Sequence, residues 1–220
     1  MSVNTVTVES PLKRIAADFA ESRLALFGLA LLIVILVVAI GAPFVSPQNP
    51  YNLAQLDIMD SKLAPGGKSM EGMTFWLGSD DQGRDMLSAI FYGLRISLGV
   101  GTLATVCALA IGLVVGLIAA WFGGWVETAI MRLVDLQLSF PSILIALVLL
   151  ASLGQGIDKI VIALIAVQWA YYTRTVRGAA LVERNKEYIE AATCLALPTW
   201  RILFNHLLPN VLPQIGRAHV

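Results

Sequence analysis

Four apolar stretches that carry no Asp, Glu, Lys or Arg restrict the fold of this chain more than any other feature. They run from Leu24 to Leu56, Ile96 to Val126, Leu136 to Ile157 and Ile160 to Thr173. A helix over Leu24–Val45 would be about 33 Å long, enough for a hydrocarbon core of about 30 Å. Only 14% of the 220 residues are charged and 57% are hydrophobic, whereas a soluble domain carries about 25% charged residues. The reading is an all-α integral membrane protein with several spans.

The first apolar run is too long for the core of a cleaved leader, which has about 7–15 apolar residues. It is therefore read as a retained span, ended by Pro43, Pro47 and Pro50. A second helix is expected over Leu98–Trp121 and a third over Leu136–Ile157, with Pro141 in its first turns, where a missing N–H costs least. The fourth run is short. Alone it reads as a buried or re-entrant helix; continued toward Arg174, whose stem can snorkel, it reaches spanning length.

Charge sets the expected orientation. Arg174, Arg177, Arg184, Lys186 and Arg201 make the segment after the fourth run basic, and Lys13, Arg14 and Arg23 do the same for the N-terminal tail, 1–23. Four spans place both on one side, the cytoplasm. The loop 46–95 then faces outward, and its acidic residues Asp57, Asp60, Glu71, Asp80, Asp81 and Asp85 outnumber Lys62, Lys68, Arg84 and Arg95.

Several function classes fall away. Net charge is zero, so there is no basic field for nucleic acid. Cys107 lies in an apolar run and Cys194 in a polar one, so they are not expected to pair; His206 and His219 are too few and scattered for a metal site. Gly67-Lys68-Ser69 resembles the end of a phosphate-binding loop. However, the position five residues before its Gly-Lys pair is Lys62 rather than Gly, and no strand-to-helix context surrounds it. No catalytic constellation and no cofactor site is read. The chain is expected not to be an enzyme, and any ATP driving it must bind another polypeptide.

Gly112-x-x-x-Gly116 in the second run permits close helix approach, although small residues are common in spanning helices generally. Residues 187–213, EYIEAATCLALPTWRILFNHLLPNVLP, read as two short helices broken at Ala196–Pro198. Tyr188, Ala191, Ala192 and Leu195 are expected on one face of the first; Trp200, Leu203, Phe204 and Leu207 on one face of the second. Such an element suits docking of another protein or lying on a membrane surface.

This segment resembles the EAA loop in permease subunits of bacterial ABC importers. Glu190, Ala191 and Ala192 match its opening, and Leu208 and Pro209 its end; Ala196 stands where the family usually has Gly, and His206 where many members have Ile. The run Arg201-Ile202 through Asn210 is similar to the dipeptide, oligopeptide and nickel branch. Two further blocks agree with that branch: Trp76–Leu98, through Trp76, Gly78, Asp80, Gly83, Arg84 and Asp85, and residues 121–141, through Gly123, Gly124, Met131, Arg132, Asp135 and Pro141. The resemblance covers about Leu24 to Pro213. It implies a type I ABC-importer permease fold, with a permease core over 96–215 and a cytoplasmic coupling loop at 187–209. It also implies a second permease subunit, two ATP-binding cassette ATPase subunits, an extracytoplasmic solute-binding protein, and a bacterial inner-membrane location among lipid. Glu190, Ala191, Ala192, Ala196, Pro198, Leu208 and Pro209 would couple to an ATPase; the block from Trp76 would face the binding protein.

Two departures matter. If the break at Ala196 needs a left-handed residue, Ala in place of Gly costs about 1–2 kcal/mol; alternatively, Pro198 supplies the break by disfavouring helix at Leu197. Permeases of the resembling family have six spans, and this chain stops as a fifth begins, so it is expected to be C-terminally truncated. Residues 216–220 are expected to be non-native, since Ile215–Val220 is also what a common sequencing-adapter stretch would encode. The rival readings are a gradient-driven transporter or channel, which would place ionisable residues in mid-span, and a membrane anchor for a complex. The identity of the solute is not legible.

Overall fold

Ser22 accepts a hydrogen bond from the Ala25 N–H at 3.3 Å and starts the first helix, α1, Arg23–Val45. The computed structural model describes residues 19–70 and 72–217. Most of the expected cytoplasmic tail, Glu71 of the outer loop, and Ala218, His219 and Val220 of the expected non-native end lie outside the described residues.

After α1 come two short 3₁₀ turns, Leu53–Gln55 and Ile58–Asp60, and a small antiparallel hairpin of β1, Gly67–Lys68, and β2, Thr74–Phe75. The remainder is helical: α2, Met86–Phe122; α3, Gly124–Leu138; α4, Ser142–Leu153; α5, Ile157–Arg184; α6, Glu187–Cys194; α7, Thr199–Arg201; a π-helical segment, Ile202–Leu207; and α8, Leu208–Arg217. Two units divide the chain within α2, Met1–Leu98 and Gly99–Val220.

By length and composition, α1 and α2 can cross a membrane, and α3 with α4 makes a third crossing if that bent pair is counted as one. The single third helix expected over Leu136–Ile157 is therefore corrected. Its region is broken at Ser139–Pro141, and the two helices meet at 87°. Pro141 does not sit inside a helix but caps α4, because its fixed φ and missing N–H suit a helix start. The fourth expected run is part of α5, a longer helix that continues through Arg174, Arg177, Glu183 and Arg184 and is not apolar enough to pass the same test. The second helix begins at Met86 rather than Leu98. Asp85 explains the difference: its carboxylate accepts from the Ser88 N–H at 2.8 Å and caps the helix well before the apolar run starts.

In the second unit, Leu117, Ala120, Val176, Ala180, Ile189, Ala192, Ile202, Leu203, Leu207 and Val211 form one buried cluster. It joins the C-terminal halves of α2 and α5 to α6, the π segment and α8. Packing of α2 on α5 is close. A Cβ on Gly112 would strike the Tyr172 side chain and lie 3.0 Å from the Thr173 backbone nitrogen, and one on Gly116 would lie 2.8 Å from the Thr173 carbonyl oxygen. Polar links fasten α3 to α5: Arg177 Nε donates to Glu127 at 2.7 Å, Arg174 pairs with Asp135, and Gln137 Nε2 donates to the Ala166 and Val167 carbonyls at 2.6 and 3.1 Å.

Candidate functional site

Helix α5 and helix α6 are separated only by Asn185 and Lys186, so the chain turns a tight corner between them. On α6, Ile189 and Ala192 are buried in the cluster and Tyr188 packs against it. Ala191 is exposed and Leu195 is 75% exposed, so the face expected to hold Tyr188, Ala191, Ala192 and Leu195 is corrected. The cluster selects Ile189 and Ala192, three residues apart and one turn of helix from each other. Glu190 stands exposed beside a groove lined by Trp121, Arg184, Asn185 and Thr193.

The end of α6 is a Schellman turn. The Leu197 N–H donates to the Ala192 carbonyl at 3.3 Å and the Ala196 N–H to the Thr193 carbonyl at 2.9 Å, which leaves Ala196 in the left-handed region at φ +51°. Leu197 packs against the cluster that holds Ala192. Pro198 then takes an extended conformation and caps α7, its carbonyl accepting from Arg201 at 2.8 Å. Both devices anticipated for the break are present, and the left-handed one falls on a residue with a Cβ.

Beyond Pro198 the π segment changes the helical phase. Ile202, Leu203 and Leu207 turn inward, while Trp200 and Phe204, expected on the same face as Leu203 and Leu207, are 63% and 45% exposed. The wider turn of a π segment moves the inward face by a fraction of a turn, and such segments gather at functional sites. Leu208 packs against the cluster and Pro209 is exposed on α8. The element thus presents Glu190, Ala191, Leu195, Ala196 and Trp200 outward while Ile189, Ala192, Leu197 and Ile202 anchor it.

In the first unit, the block from Trp76 is chiefly a scaffold. Asp80 Oδ1 accepts from the Gln82 and Arg84 N–H groups at 2.8 and 3.0 Å, and Arg84 Nε lies 3.7 Å from the other carboxylate oxygen. Gly83, at φ +74°, sits against the Asp57 carbonyl, where no side chain fits. Gly78 and Asp85 are buried as well, and Asp85 donates its N–H to Gln48 at 2.7 Å. Of the six residues singled out in the block, only Trp76, at 67% exposure, is turned out as a contact residue would be.

Sequence reasoning passed over Glu183 and Gln137 and counted Arg184 only as a basic charge. Arg184 Nη1 donates to the Ala120 carbonyl at 2.7 Å with its guanidinium over the Trp121 ring. Glu183, 2% exposed, accepts from Tyr188 and Lys186. A partial signal existed for Glu183, the acid–lysine spacing of three residues, although Lys186 lies beyond the end of α5.

Comparison with known proteins bears on both units. Residues 112–217 match the family described as "Binding-protein-dependent transport system inner membrane component", and residues 10–65 match the "N-terminal TM domain of oligopeptide transport permease C". The di/tripeptide transport system permease protein DppC of Pseudomonas aeruginosa is 36% identical over 211 residues, covering 95% of this chain and 68% of the relative. The chain belongs to the family of binding-protein-dependent inner-membrane transport components. Other members include the dipeptide transport system permease protein DppC of Alkalihalophilus pseudofirmus, 36% identical over 95% of this chain, and the oligopeptide transport system permease protein OppC of Bacillus subtilis, 33% identical over 90%. The chain spans 66% and 62% of the length of those two relatives. Members of this family are helical membrane permeases, which agrees with a chain whose described residues are mostly helix apart from one long loop carrying a hairpin of two two-residue strands.

Proposed function

We propose that this chain is one membrane half of an ATP-driven importer of small peptides, and that its α6–α7 element takes up motion from ATPase subunits carried on other polypeptides. One observation carries the reading. The Schellman corner and the Ile189–Ala192–Leu197–Ile202 anchors fix a compact projection on the same buried cluster that holds α2 and α5. A projection rooted in that way moves with the helices beneath it, and Glu190, Leu195 and Trp200 on its outer surface offer a carboxylate flanked by apolar groups to a partner. The names of the relatives support a peptide as the solute.

The assembly this implies contains a second permease subunit, two ATPase subunits and an extracytoplasmic solute-binding protein, with α6–α7 and the N-terminus in the cytoplasm. Closure of the ATPase pair would push the projection and tip the spans between two packed states. The test is Glu190→Lys in the assembled transporter. A wrong-sign charge at a docking surface costs several kcal/mol, so ATPase assembly or ATP-driven uptake is lost while membrane insertion persists. Uptake that continues unchanged removes the coupling role from this element.

A further inference from the structure

The corner between α5 and α6 contains a group that the docking surface does not use. Glu183 is the last buried residue of α5, 2% exposed, and a carboxylate in that position is costly unless its oxygens are matched. Two of its partners lie in the corner and just beyond it. The Tyr188 hydroxyl, on α6, donates to Oε1 at 2.7 Å, and Lys186 Nζ lies 2.9 Å from Oε1 and 2.8 Å from Oε2. Backbone bonds continue the same turn, with the Lys186 N–H donating to the Glu183 carbonyl at 3.2 Å and the Ile189 N–H to the Lys186 carbonyl at 3.0 Å. Burial, together with the neighbouring Glu183 carboxylate, pushes the Tyr188 phenol up to about 12, against a weaker opposing hydrogen bond from Asn210 of α8. The phenol therefore stays protonated, as a donor, at every working pH. Elsewhere the two helices share the apolar cluster that holds Val176, Ala180, Ile189 and Ala192, and apolar contacts alone tolerate sliding. A charged, oriented link does not.

We propose that Glu183, Tyr188 and Lys186 form a positioning clamp that makes α6 move as one body with α5, so that displacement of the projection becomes displacement of the membrane helix. The clamp rests on the coupling role given to α6–α7 and adds to it a specific load path: Tyr188 acts through Glu183, and neither needs to touch the partner.

Tyr188→Phe tests the clamp with little disturbance, since the ring remains packed and only the donor is lost; Glu183→Gln keeps the volume and removes the charge that holds Lys186. Spin labels at the native, exposed Cys194 and at Ile162→Cys on α5, with Cys107 replaced by Ala, report the distance between the projection and the membrane helix in the assembled transporter. In the unaltered clamp the distance distribution is narrow and keeps its width with and without ATP. With Tyr188→Phe or Glu183→Gln it is at least twice as wide while ATPase binding stays within twofold, and the double variant is no wider than either single one, because both remove one link. A width unchanged by Tyr188→Phe overturns the clamp. So does loss of ATPase binding in that variant, which would make the pair a determinant of the docking surface, and so does failure of the variant to reach the membrane, which would make it a folding element. Failure of the coupling role itself is read separately, from unchanged uptake in Glu190→Lys.

Discussion

Ala196 holds φ at +51° although it carries a Cβ, and it does so at the turn from which Glu190 and Trp200 are displayed. A left-handed residue with a side chain costs about 1–2 kcal/mol, and roughly half of that is returned because glycine has more freedom to lose on folding. Ala196→Gly should therefore raise resistance to thermal or detergent unfolding by about 0.5–1 kcal/mol, and Ala196→Val should lower it; equal stability of the three would mean the turn relaxes away from the left-handed region. Tyr188 makes a prediction of its own. Its folded-state pKa is raised to about 12 from an ordinary 10, so the folded chain holds the phenolic proton where the unfolded chain has released it. The stability this contributes is complete below pH 10 and is lost as pH climbs from 10 toward 12. Tyr188→Phe should flatten that alkaline decline, measured as helix loss by circular dichroism between pH 9 and 12.

Between helices, the tightest constraint is the approach of α2 to α5. Backbone atoms of Thr173 face both Gly112 and Gly116, and backbone cannot yield as a flexible side-chain tip can. Gly112→Val should destabilise by about 1–3 kcal/mol through overpacking, whereas Gly99→Ala and Gly101→Ala on the same helix, with nothing within 4 Å of an added Cβ, should be neutral or slightly stabilising. Denaturation of the chain alone in a mixed detergent series separates the two outcomes. The Gly112-x-x-x-Gly116 spacing was legible in the sequence, but its partner was not, because small residues mark a contact without naming what fills it. Charge-free runs located α1 and α2 for a simple reason: hydropathy reports length and composition directly. They failed at α3 and α4. Leu136–Ile157 is uninterrupted by charge, and the break at Ser139–Pro141 is a backbone event that a charge-free run does not record. The π segment was hidden for a related reason, since its inward face follows a wider turn than the 3.6-residue period on which Trp200 and Phe204 were grouped with Leu203 and Leu207. Glu183 was missed because an acid in a basic stretch reads as a solvated charge until its burial is known.

For the molecule as a whole, sidedness is predicted from charge rather than from counting helices. With two helices long and apolar enough to cross and a third crossing if the bent α3–α4 pair is one span, parity of spans does not fix which side α6 occupies. The basic residues give the prediction instead. Arg174, Arg177 and Lys186 are paired with Asp135, Glu127 and Glu183, yet the rule that sets orientation counts Lys and Arg and gives acidic partners little weight. Arg184 and Arg201 add to the same segment, whereas the loop from Asp57 to Asp85 is predominantly acidic. The chain should therefore place α6 in the cytoplasm and the β1–β2 hairpin outside. Two thiols suffice to check it. Cys194 is native and exposed, and Lys68 is exposed at the hairpin, while the neighbouring Ser69 accepts from the Met73 N–H at 3.0 Å and is better left in place. In cells expressing the chain without its ATPase partners, and with Cys107 replaced by Ala, a membrane-impermeant maleimide should modify Cys194 only after the inner membrane is opened. In a Cys194→Ser background, Lys68→Cys should react with the outer membrane alone permeabilised. The reverse pattern would put the projection on the far side from any ATP-driven partner, and Glu190, Ala196 and Trp200 would then need a different role.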